Sequence, residues 1–284
     1  MPKKLLLVLA ALLAVALVGC GKAKKKVEIH LKLEVHDDAS PAKRKEIENN
    51  FARYRDETIE IIRKRLVARR MPYDRIAPEG ERGIVVRTAI PKGEDERMLK
   101  NLFMAGRLEF RLVHERSEEL VQQNLAEFQG INKGEDDPDK LKEQEYLKSM
   151  APAGYELMSA LEMDRNKKAE LRYYYVSKEI EIDGRNIKTA RPDKNQWCGH
   201  VVSLSLNDRG AEDFERVTRR NAGRQLAIVL NGRLCCAPWI REPITGGRVE
   251  ISGRFTEEET EAIAAVLMHG TLPLKVTVMS VENR

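Results

Sequence analysis

The N-terminal stretch constrains this chain more than any other part of it. Two lysines precede an unbroken apolar run, residues 5–18, which ends at Gly19 and Cys20. A basic start, a short apolar centre and a small residue before the end are the layout of a secretory signal peptide. The run is shorter than the roughly 18 to 20 residues that a stable membrane span needs. We therefore expect a segment that is removed and a mature chain that lies outside the cytoplasm.

The end of this run, Leu17-Val18-Gly19-Cys20, resembles the lipobox of bacterial lipoproteins. The resemblance implies that residues 1–19 are a lipoprotein signal peptide, that Cys20 is the lipid attachment site and that residues 20–26 form a tether. An ordinary secretory signal and an uncleaved anchor are the alternatives. Two or more acyl chains anchor a protein stably, so the membrane is a predicted partner through the lipid. The predicted location is the cell envelope, with the chain facing the periplasm or the outside.

Two features of the tether region bear on the membrane in which the chain would be anchored and on its contact with lipid. Gly21 stands where an aspartate often signals retention in the inner membrane, which favours the outer membrane. The basic run Lys24-Lys25-Lys26 has two interpretations, contact with anionic lipid headgroups or a solvated linker, and the linker is favoured.

Charge and composition exclude several protein classes. The 284 residues include 50 Lys and Arg against 45 Asp and Glu, a formal net charge of +5 that is spread along the chain. A nucleic-acid-binding protein would carry a strongly basic patch, so nucleic acid is not a predicted partner. With 33% charged and 42% hydrophobic residues, the chain is neither disordered nor polytopic. Its length suits about two domains.

Hydrophobic periodicity predicts a βαβαβ order in the first part of the chain. Residues 27–35 alternate between apolar and polar side chains, which indicates a half-buried strand. Ser40-Pro41 supplies an N-cap and a first-turn proline for a helix that runs to about Arg70. The further expectations are a loop with Pro72, Pro78 and Gly80, a strand at 84–86, a helix opening at Gly93 and capped by Gly106, and a strand at 108–112.

The composition changes in the second part. Residues 117–150 are charged and helix-leaning, which indicates an insertion or a domain boundary. Asn231-Gly232, between two apolar runs, is the strongest hairpin signal of the chain and predicts a type I′ turn. The other expected elements are strands at 155–161, 171–176, 201–206, 248–251 and 274–278, a helix capped by Asn207, and a last helix that begins at Thr256 and ends at Gly270.

Several stretches resemble the first large periplasmic domain of the SecD family, and they occur in the family's order. They are GERGIVV at 80–86, GRLEFRLV at 106–113, VSLSLNDRGA at 202–211, LAIVLNG at 226–232, Ala237-Pro238, and EPITGGRVEISGRFT at 242–256. The resemblance covers about residues 58–274. It implies an α+β fold, a ferredoxin-like base split in sequence with an inserted α+β head subdomain. The base would comprise residues 27–114 and 256–284 and the head residues 115–255, inserted after the third base strand.

The resemblance also implies a function. In the SecD family this domain works with the secretion channel, and the head holds an emerging preprotein. The implied role is a non-enzymatic accessory of protein export, with unfolded polypeptide and the Sec translocon as partners; no contact residue is identified. The rival interpretation is a structural or envelope-assembly module that reuses the fold. A glycine-rich stretch and the transmembrane helices of the family are missing, so we expect binding without proton-driven activity.

Two short motifs are candidates for sites of chemistry. Gly246-Gly247 is not followed by Lys-Ser/Thr, and the chain has no GxGxxG, so we interpret the pair as a structural turn and expect no cofactor. His36-Asp37-Asp38 belongs to no Ser/His/Asp set with a recognisable spacing. We interpret it as a polar strand end before Ser40, and expect no catalytic residue.

The cysteines are candidates for a metal site or a disulfide. Cys198 and His200 would share one face of a strand, whereas the neighbouring Cys235 and Cys236 would point to opposite faces, so only three ligands converge readily. A disulfide from Cys198 to Cys235 or Cys236 is one alternative and small buried thiols are another. Buried thiols are favoured, and we expect no metal.

Aromatic side chains are candidates for a peptide-binding groove. Trp197, Trp239 and the run Tyr173-Tyr174-Tyr175 are the candidates, because aromatic residues are enriched at binding hot spots. Core packing is the alternative and is favoured for each of them.

Overall fold

The computed structural model describes residues 24–37, 39–91, 99, 102–131, 140–163, 169–196 and 199–284. The predicted signal peptide, Cys20, Trp197, Cys198 and most of the helix expected after Gly93 lie outside the described residues. Six α-helices are assigned in the described part: α1 Pro41–Asn49, α2 Phe51–Ala68, α3 Ser117–Ile131, α4 Lys140–Ser149, α5 Asp208–Arg220 and α6 Glu257–Met268. None of the helices assigned there is both long enough and apolar enough to cross a bilayer.

The strands of the described residues form four sheets, called here sheets I to IV. The strands are β1 Lys24–Glu34, β2 Tyr73–Glu79, β3 Gly83–Pro91, β4 Leu108–Leu112, β5 Tyr155–Met163, β6 Ala169–Ser177, β7 Ile182–Asp183, β8 Ile187–Asn195, β9 Gly199–Leu206, β10 Leu226–Leu230, β11 Arg233–Cys236, β12 Arg248–Phe255 and β13 Lys275–Asn283. The strand orders are β13-β1-β3-β2 in sheet I, β11-β10-β4-β7 in sheet II, β12-β9-β8 in sheet III and β5-β6 in sheet IV.

Sheet I forms around β1, whose alternation gives it one apolar face. Val27, Ile29, Leu31 and Leu33 are at most 2% exposed and form one core with side chains of α1 and α2. Burying each such side chain stabilises the fold by about 1.5 to 3 kcal/mol. Taken in chain order, the strands β1, β2, β3 and β13 lie in the order 4-1-3-2, with α1 and α2 after the first strand. This is a ferredoxin-like base whose last strand comes from the far end of the chain, so the predicted split base is confirmed.

Three details of the base differ from expectation. The stretch with Pro72 and Pro78, expected as a loop, contains β2, an outer strand in which a proline is tolerated. Leu108–Leu112, expected as the third base strand, instead pairs with β10 and β7 in sheet II. Lys24–Lys26 of the expected tether belong to β1 and pair with β3. The boundaries predicted for base and head stay predictions.

Sheets II and III share a second core with α5 and α6. Phe110 of β4 meets Phe214 of α5 edge to face, with 5.3 Å between the ring centroids. The apolar strand β10 is buried on both faces, because Ile228 belongs to this core whereas Ala227 and Val229 belong to a smaller third core beside sheet IV. The last helix, α6, was expected to return to the base. It packs instead against β8 and β9 of sheet III.

The predicted type I′ turn and the three predicted N-caps are confirmed. Asn231 and Gly232 have φ values of 52° and 76°, the two positive values that a type I′ turn needs, and β10 pairs with β11 across them. Ser40, Asn207 and Thr256 each accept a backbone N–H three residues on as N-caps. The helix expected from residue 41 to 70 is two helices, α1 and α2, because the backbone leaves helical geometry between them.

The chain passes between sheet I and the second core twice, before β4 and before β13, and one buried side chain contacts both passages. Arg65 of α2 is fully buried. Its guanidinium donates to the carbonyl oxygens of Leu102 (3.0 Å), Met104 (2.6 Å) and Ala105 (3.4 Å) in the first passage and of Gly270 (2.6 Å) in the second. Burial lowers the pKa of Arg65 to about 9, so the guanidinium remains charged at neutral pH.

The two passages also contact each other. The backbone N–H of Leu272 donates to the carbonyl of Ala105 at 2.7 Å. Between them lies Gly106 at φ +82°, where a Cβ would come within 2.8 Å of Val266 Cγ1 and 3.0 Å of Arg65 Nη2. Only glycine combines this backbone conformation with so close an approach.

The tip of the β10–β11 hairpin completes this joint. The side-chain oxygen of Asn231 accepts the N–H of Gly106 at 2.7 Å and that of Arg107 at 3.0 Å. The N–H of Asn231 donates in turn to the carbonyl of Arg107 at 2.8 Å. The turn residue that sets the hairpin therefore also attaches it to the first passage.

The contacts of Arg65 predict a large loss of stability on its replacement. Arg65→Met keeps the aliphatic stem but leaves buried carbonyls of both passages without their donor, and each such group costs about 1 to 3 kcal/mol. We expect the free energy of unfolding, measured by urea denaturation, to fall by about 3 to 5 kcal/mol. Arg63 lies on the same helix and pairs with Glu60 at the surface, so Arg63→Met should cost less than about 1 kcal/mol. Equal losses of stability in the two variants would contradict the role assigned to Arg65 in holding the two passages.

Candidate functional site

A cleft of about 660 Å³ opens where sheet I meets sheet II. It is bounded by residues from both sheets, from the first passage and from the hairpin tip. The lining residues are His36 and Asp37, residues 103–105, Arg107, Glu109 and Arg111, Glu156 and Met158, Asn231 and Gly232, and residues 275–278. The geometry of the cleft therefore depends on the joint that Arg65 holds.

One wall of the cleft is an outer strand. β13 is outermost in sheet I, and its residues 275–278 line the cleft. An outer strand presents backbone N–H and C=O groups on the side away from its neighbour. Glu156 and Met158 on the cleft wall belong to β5, a strand of the two-stranded sheet IV. An extended segment that enters the cleft meets strand backbone as well as side chains.

The floor of the cleft is a chain of ion pairs along β4. Because Leu108, Phe110 and Leu112 point into the second core, the residues between them point into the cleft. Glu109, whose side chain is only 5% exposed, accepts from Arg107 Nη2 at 2.8 Å and from Arg111 Nε at 2.8 Å. Arg111 also donates to Glu156 of β5 at 2.5 Å. The buried carboxylate is held by two guanidiniums, one of which extends the network to sheet IV.

His36 and Asp37 have structural contacts at the end of β1. The Nε2 of His36 donates to the carbonyl of Leu272 in the second passage at 3.0 Å. The carboxylate of Asp37 accepts from Lys275 Nζ at 2.7 Å. These contacts attach the turn after β1 to the start of β13, as the interpretation of a polar strand end implies. Asp38 lies outside the described residues.

The charges on the cleft wall balance. The basic side chains of Arg107, Arg111 and Lys275 stand against the acidic side chains of Asp37, Glu109 and Glu156. Apolar surface comes from Met104, Met158, Val276 and Val278, and methionine adapts its shape to different neighbours. Such a wall suits a ligand of mixed side-chain character better than a strongly acidic or basic one.

The aromatic candidates do not form one groove among the described residues. The hydroxyl of Tyr175 donates to the carbonyl of Leu147 at 3.0 Å and accepts from Asn124 at 2.8 Å, and that of Tyr174 donates to Glu162 at 2.8 Å. Both tyrosines are buried, which raises their pKa values, and they pack as the favoured alternative predicts. Trp239 is 60% exposed, so core packing is wrong for this residue.

The cysteine candidates are separated by sheet. Cys235 and Cys236 lie half-buried on β11 of sheet II, whereas His200 lies on β9 of sheet III. Burial raises the pKa of the Cys235 thiol to about 12, so it is protonated at neutral pH. Within the described ranges, no three His, Cys, Asp or Glu side chains are placed to bind a metal ion. Both disulfide alternatives involve Cys198, which lies outside the described residues, so they stay predictions.

The glycine pair is the structural turn that the sequence predicts. Gly246 and Gly247 have φ values of +76° and +59° and lead into β12. A Cβ on Gly247 would lie 2.8 Å from that of Ala211 in α5, so the turn packs closely on this helix.

Sequence reasoning missed the cleft, although one signal for its floor is present. Arg107, Glu109 and Arg111 alternate with the apolar residues of β4, and alternating opposite charges on one strand face indicate a polar network. The partners of this face, β5 and β13, are distant in sequence, and nothing local identifies them.

Part of the chain matches a known protein family, and longer stretches of it match known proteins. Residues 158–274 match the family model described as SecDF, P1 head subdomain. The chain is 31% identical over 226 residues to protein translocase subunit SecD of Magnetococcus marinus, a match that covers 79% of this chain and 38% of that protein. It is 28% identical over 276 residues to SecDF of Thermus thermophilus, covering 95% of this chain and 33% of that protein. The chain thus spans well under half the length of these relatives.

Solved structures share the fold. A crystal structure of SecDF in a super-membrane-facing form superposes with a TM-score of 0.59 at 26% identity, covering 92% of this chain and 30% of that chain. A structure described as the membrane component SecDF that enhances protein export gives a TM-score of 0.53 at 26% identity, covering 89% of this chain and 98% of that one. These findings support the expected relationship with the SecD/SecDF periplasmic P1 head family.

The floor of the cleft yields a prediction about Glu109. Glu109→Gln keeps the shape of the side chain but leaves Arg107 and Arg111 without their shared counter-charge in a partly buried site. We expect the free energy of unfolding in urea to fall by about 2 to 4 kcal/mol. Glu156 shares Arg111 but its side chain is 42% exposed, so Glu156→Gln should cost less than about 1 kcal/mol. A Glu109→Gln protein as stable as the Glu156→Gln protein would rule out a structural ion network.

Proposed function

We propose that this chain is a lipid-anchored, extracytoplasmic accessory of protein export that binds translocating polypeptide and carries out no enzymatic step. The observation that carries the proposal is the fold shared with the SecDF structure described as enhancing protein export. Through that likeness the Sec translocon is the proposed partner in the membrane. The rival, a structural or envelope-assembly module that reuses the fold, predicts no affinity for unfolded chains.

The cleft between sheets I and II is the proposed site for the polypeptide. Its wall at β13 offers strand backbone, and extended peptides commonly bind proteins by adding to such an outer strand. Backbone pairing does not depend on the side chains of the ligand, and the balanced charges of the cleft add little selectivity. Both properties suit a protein that handles many different chains.

The proposed anchor is Cys20, followed by the short segment that leads into β1. Acylation there would hold the chain at the membrane surface, on the side facing the periplasm or the outside. Gly21 favours the outer membrane in organisms that sort lipoproteins by this position. This location is harder to reconcile with an inner-membrane translocon, so lipid attachment and polypeptide binding are tested separately.

Binding of an unfolded chain is the first expected outcome. The mature chain without its lipidated cysteine, residues 21–284, contains all three cores and should bind reduced, carboxymethylated lactalbumin carrying a fluorophore. We expect a Kd in the micromolar range, about 8 kcal/mol, because a moving chain must be released quickly. Fluorescence anisotropy measures it, with no nucleotide or metal added.

A matched pair of variants locates the binding site. Thr277 is exposed on β13 and lines the cleft, so Thr277→Arg should weaken binding about tenfold by filling it. Thr189 is an exposed threonine on β8, and Thr189→Arg should change Kd less than twofold. Equal effects would exclude the cleft, and no binding at several hundred micromolar would favour the rival function.

Lipid attachment is tested in cells with an alkyne-tagged fatty acid. Cys20→Ser should abolish labelling, because the thiol that accepts the lipid is gone. Cys235→Ser removes another thiol of the same chain and should leave labelling unchanged. Labelled Cys20→Ser protein would mean that the chain is not a lipoprotein of the proposed kind.

A further inference from the structure

We propose that the end of sheet I at which β1 begins docks on anionic phospholipid headgroups. This contact is separate from polypeptide binding, and it rests on the proposed function only through the position of the lipid anchor. Charge complementarity, and the short length of chain between Cys20 and β1, carry the inference.

The strand directions bring four strand ends together at this place. β13 runs antiparallel to β1, so its last residues lie beside the first residues of β1, and Arg284 N–H donates to the carbonyl of Lys26 at 3.1 Å. The end of β3 and the start of β2 lie there as well, because Lys25 pairs with Ile90 and Tyr73 with Thr88. We call this region the anchor-side end and define it by its exposed basic residues Lys25, Lys26, Arg75 and Arg284.

Acidic residues near the anchor-side end leave an excess of positive charge. Lys26 Nζ lies 3.6 Å from Asp74 Oδ2, but the two side chains are 69% and 71% exposed, so water screens this ion pair. Glu28 accepts from Arg284 at 2.6 Å and from Arg87 at 2.8 Å, which puts two guanidiniums on one carboxylate. Lys25 and Arg75 add two further positive charges at the surface, and Glu282, which lies opposite Glu28 on β13 and is 66% exposed, offsets one of them.

The opposite end of sheet I has the reverse balance. Each basic residue named here pairs with an acid. Lys32 lies 2.9 Å from Glu34 and Lys275 lies 2.7 Å from Asp37. Arg82 pairs with Glu48. Glu81 in the β2–β3 turn adds further negative charge, and Glu79 beside the turn accepts from His30 Nδ1 at 2.8 Å. Sheet I is therefore polarised along its strands, basic at the anchor-side end and acidic at the far end. An anionic surface attracts the first and repels the second.

The anchor would hold the basic end against the membrane. Only four peptide steps separate Cys20 from Lys24, a reach of at most about 14 Å at about 3.5 Å per residue. Because this reach is an upper limit, the tether allows the anchor-side end to come within the Debye length of about 8 to 10 Å at physiological salt, where the headgroup potential acts on it.

Docking in this way would set the height of the cleft. β1 has 11 residues and spans about 36 Å at about 3.3 Å per residue. His36 and Asp37 of the cleft follow its far end, so an upright sheet I would hold the cleft roughly 30 Å above the headgroups. Polypeptide would then be bound away from the bilayer surface.

The experiment uses vesicles and the mature chain without its lipid. Co-sedimentation compares vesicles of phosphatidylcholine alone with vesicles containing 30% phosphatidylglycerol, at low and at high salt. The test variant is Lys25→Gln/Lys26→Gln/Arg75→Gln. The control is Lys188→Gln/Arg191→Gln/Lys194→Gln, which removes the same charge from exposed positions of β8. Melting temperatures establish that all three proteins are folded.

We expect binding to the anionic vesicles alone and its loss at high salt. Each basic residue near a charged surface contributes about fivefold in affinity, so the test variant should lose roughly a hundredfold and the control less than threefold. Equal binding to neutral vesicles, or equal losses in the two variants, would overturn the proposal. Because neither a client nor the acyl chain is present, the result is independent of the polypeptide-binding and lipid-labelling experiments.

Discussion

The buried guanidinium of Arg65 fixes how the two halves of the fold meet. Taking a charge out of water costs several kcal/mol, and here the partners that offset it are backbone carbonyls from both passages between the sheets. Those carbonyls converge on one point only when the two passages lie side by side. The charge is therefore satisfied in a single arrangement of sheets I and II, and Gly106 is the residue that lets the passages come so close. Arg65 contributes specificity of arrangement as much as stability.

The cleft follows from that arrangement and from the alternation of β4. The same five-residue strand directs Leu108 and Phe110 into the second core and Glu109 and Arg111 into the cleft. Because the apolar side of β4 is packed in the second core, the backbone of β4 is fixed. The charged side chains on its other side are thereby held within ion-pairing distance of one another. Burial of Glu109 is tolerable because two guanidiniums hold it, and the link from Arg111 to β5 ties sheet IV to the same network. The cleft wall is thus fixed from the core outward.

Local sequence patterns predicted the helices, strands and turns better than they predicted which strands pair with one another. The alternation of β1, the caps of α1, α5 and α6 and the Asn231-Gly232 turn act within a few residues, and they were correct. The pairing of β4 was wrong, because periodicity shows which residues share a face but not which strand lies beside them. β2 and β8 lack a clean alternation and were missed. Arg65 sits at helical spacing among apolar residues of α2, a visible signal, yet its acceptors are 37 to 205 residues away.

Two features set the outer strand β13 apart from a flat, open sheet edge. A flat, open strand edge invites pairing between molecules. Here the pairing with β1 skips Met279, a bulge that bends the strand, and residues 275–278 lie inside the cleft beside β5 and the hairpin tip. For the proposed function this matters, because backbone contacts within a charge-balanced wall bind many sequences weakly and release each of them quickly.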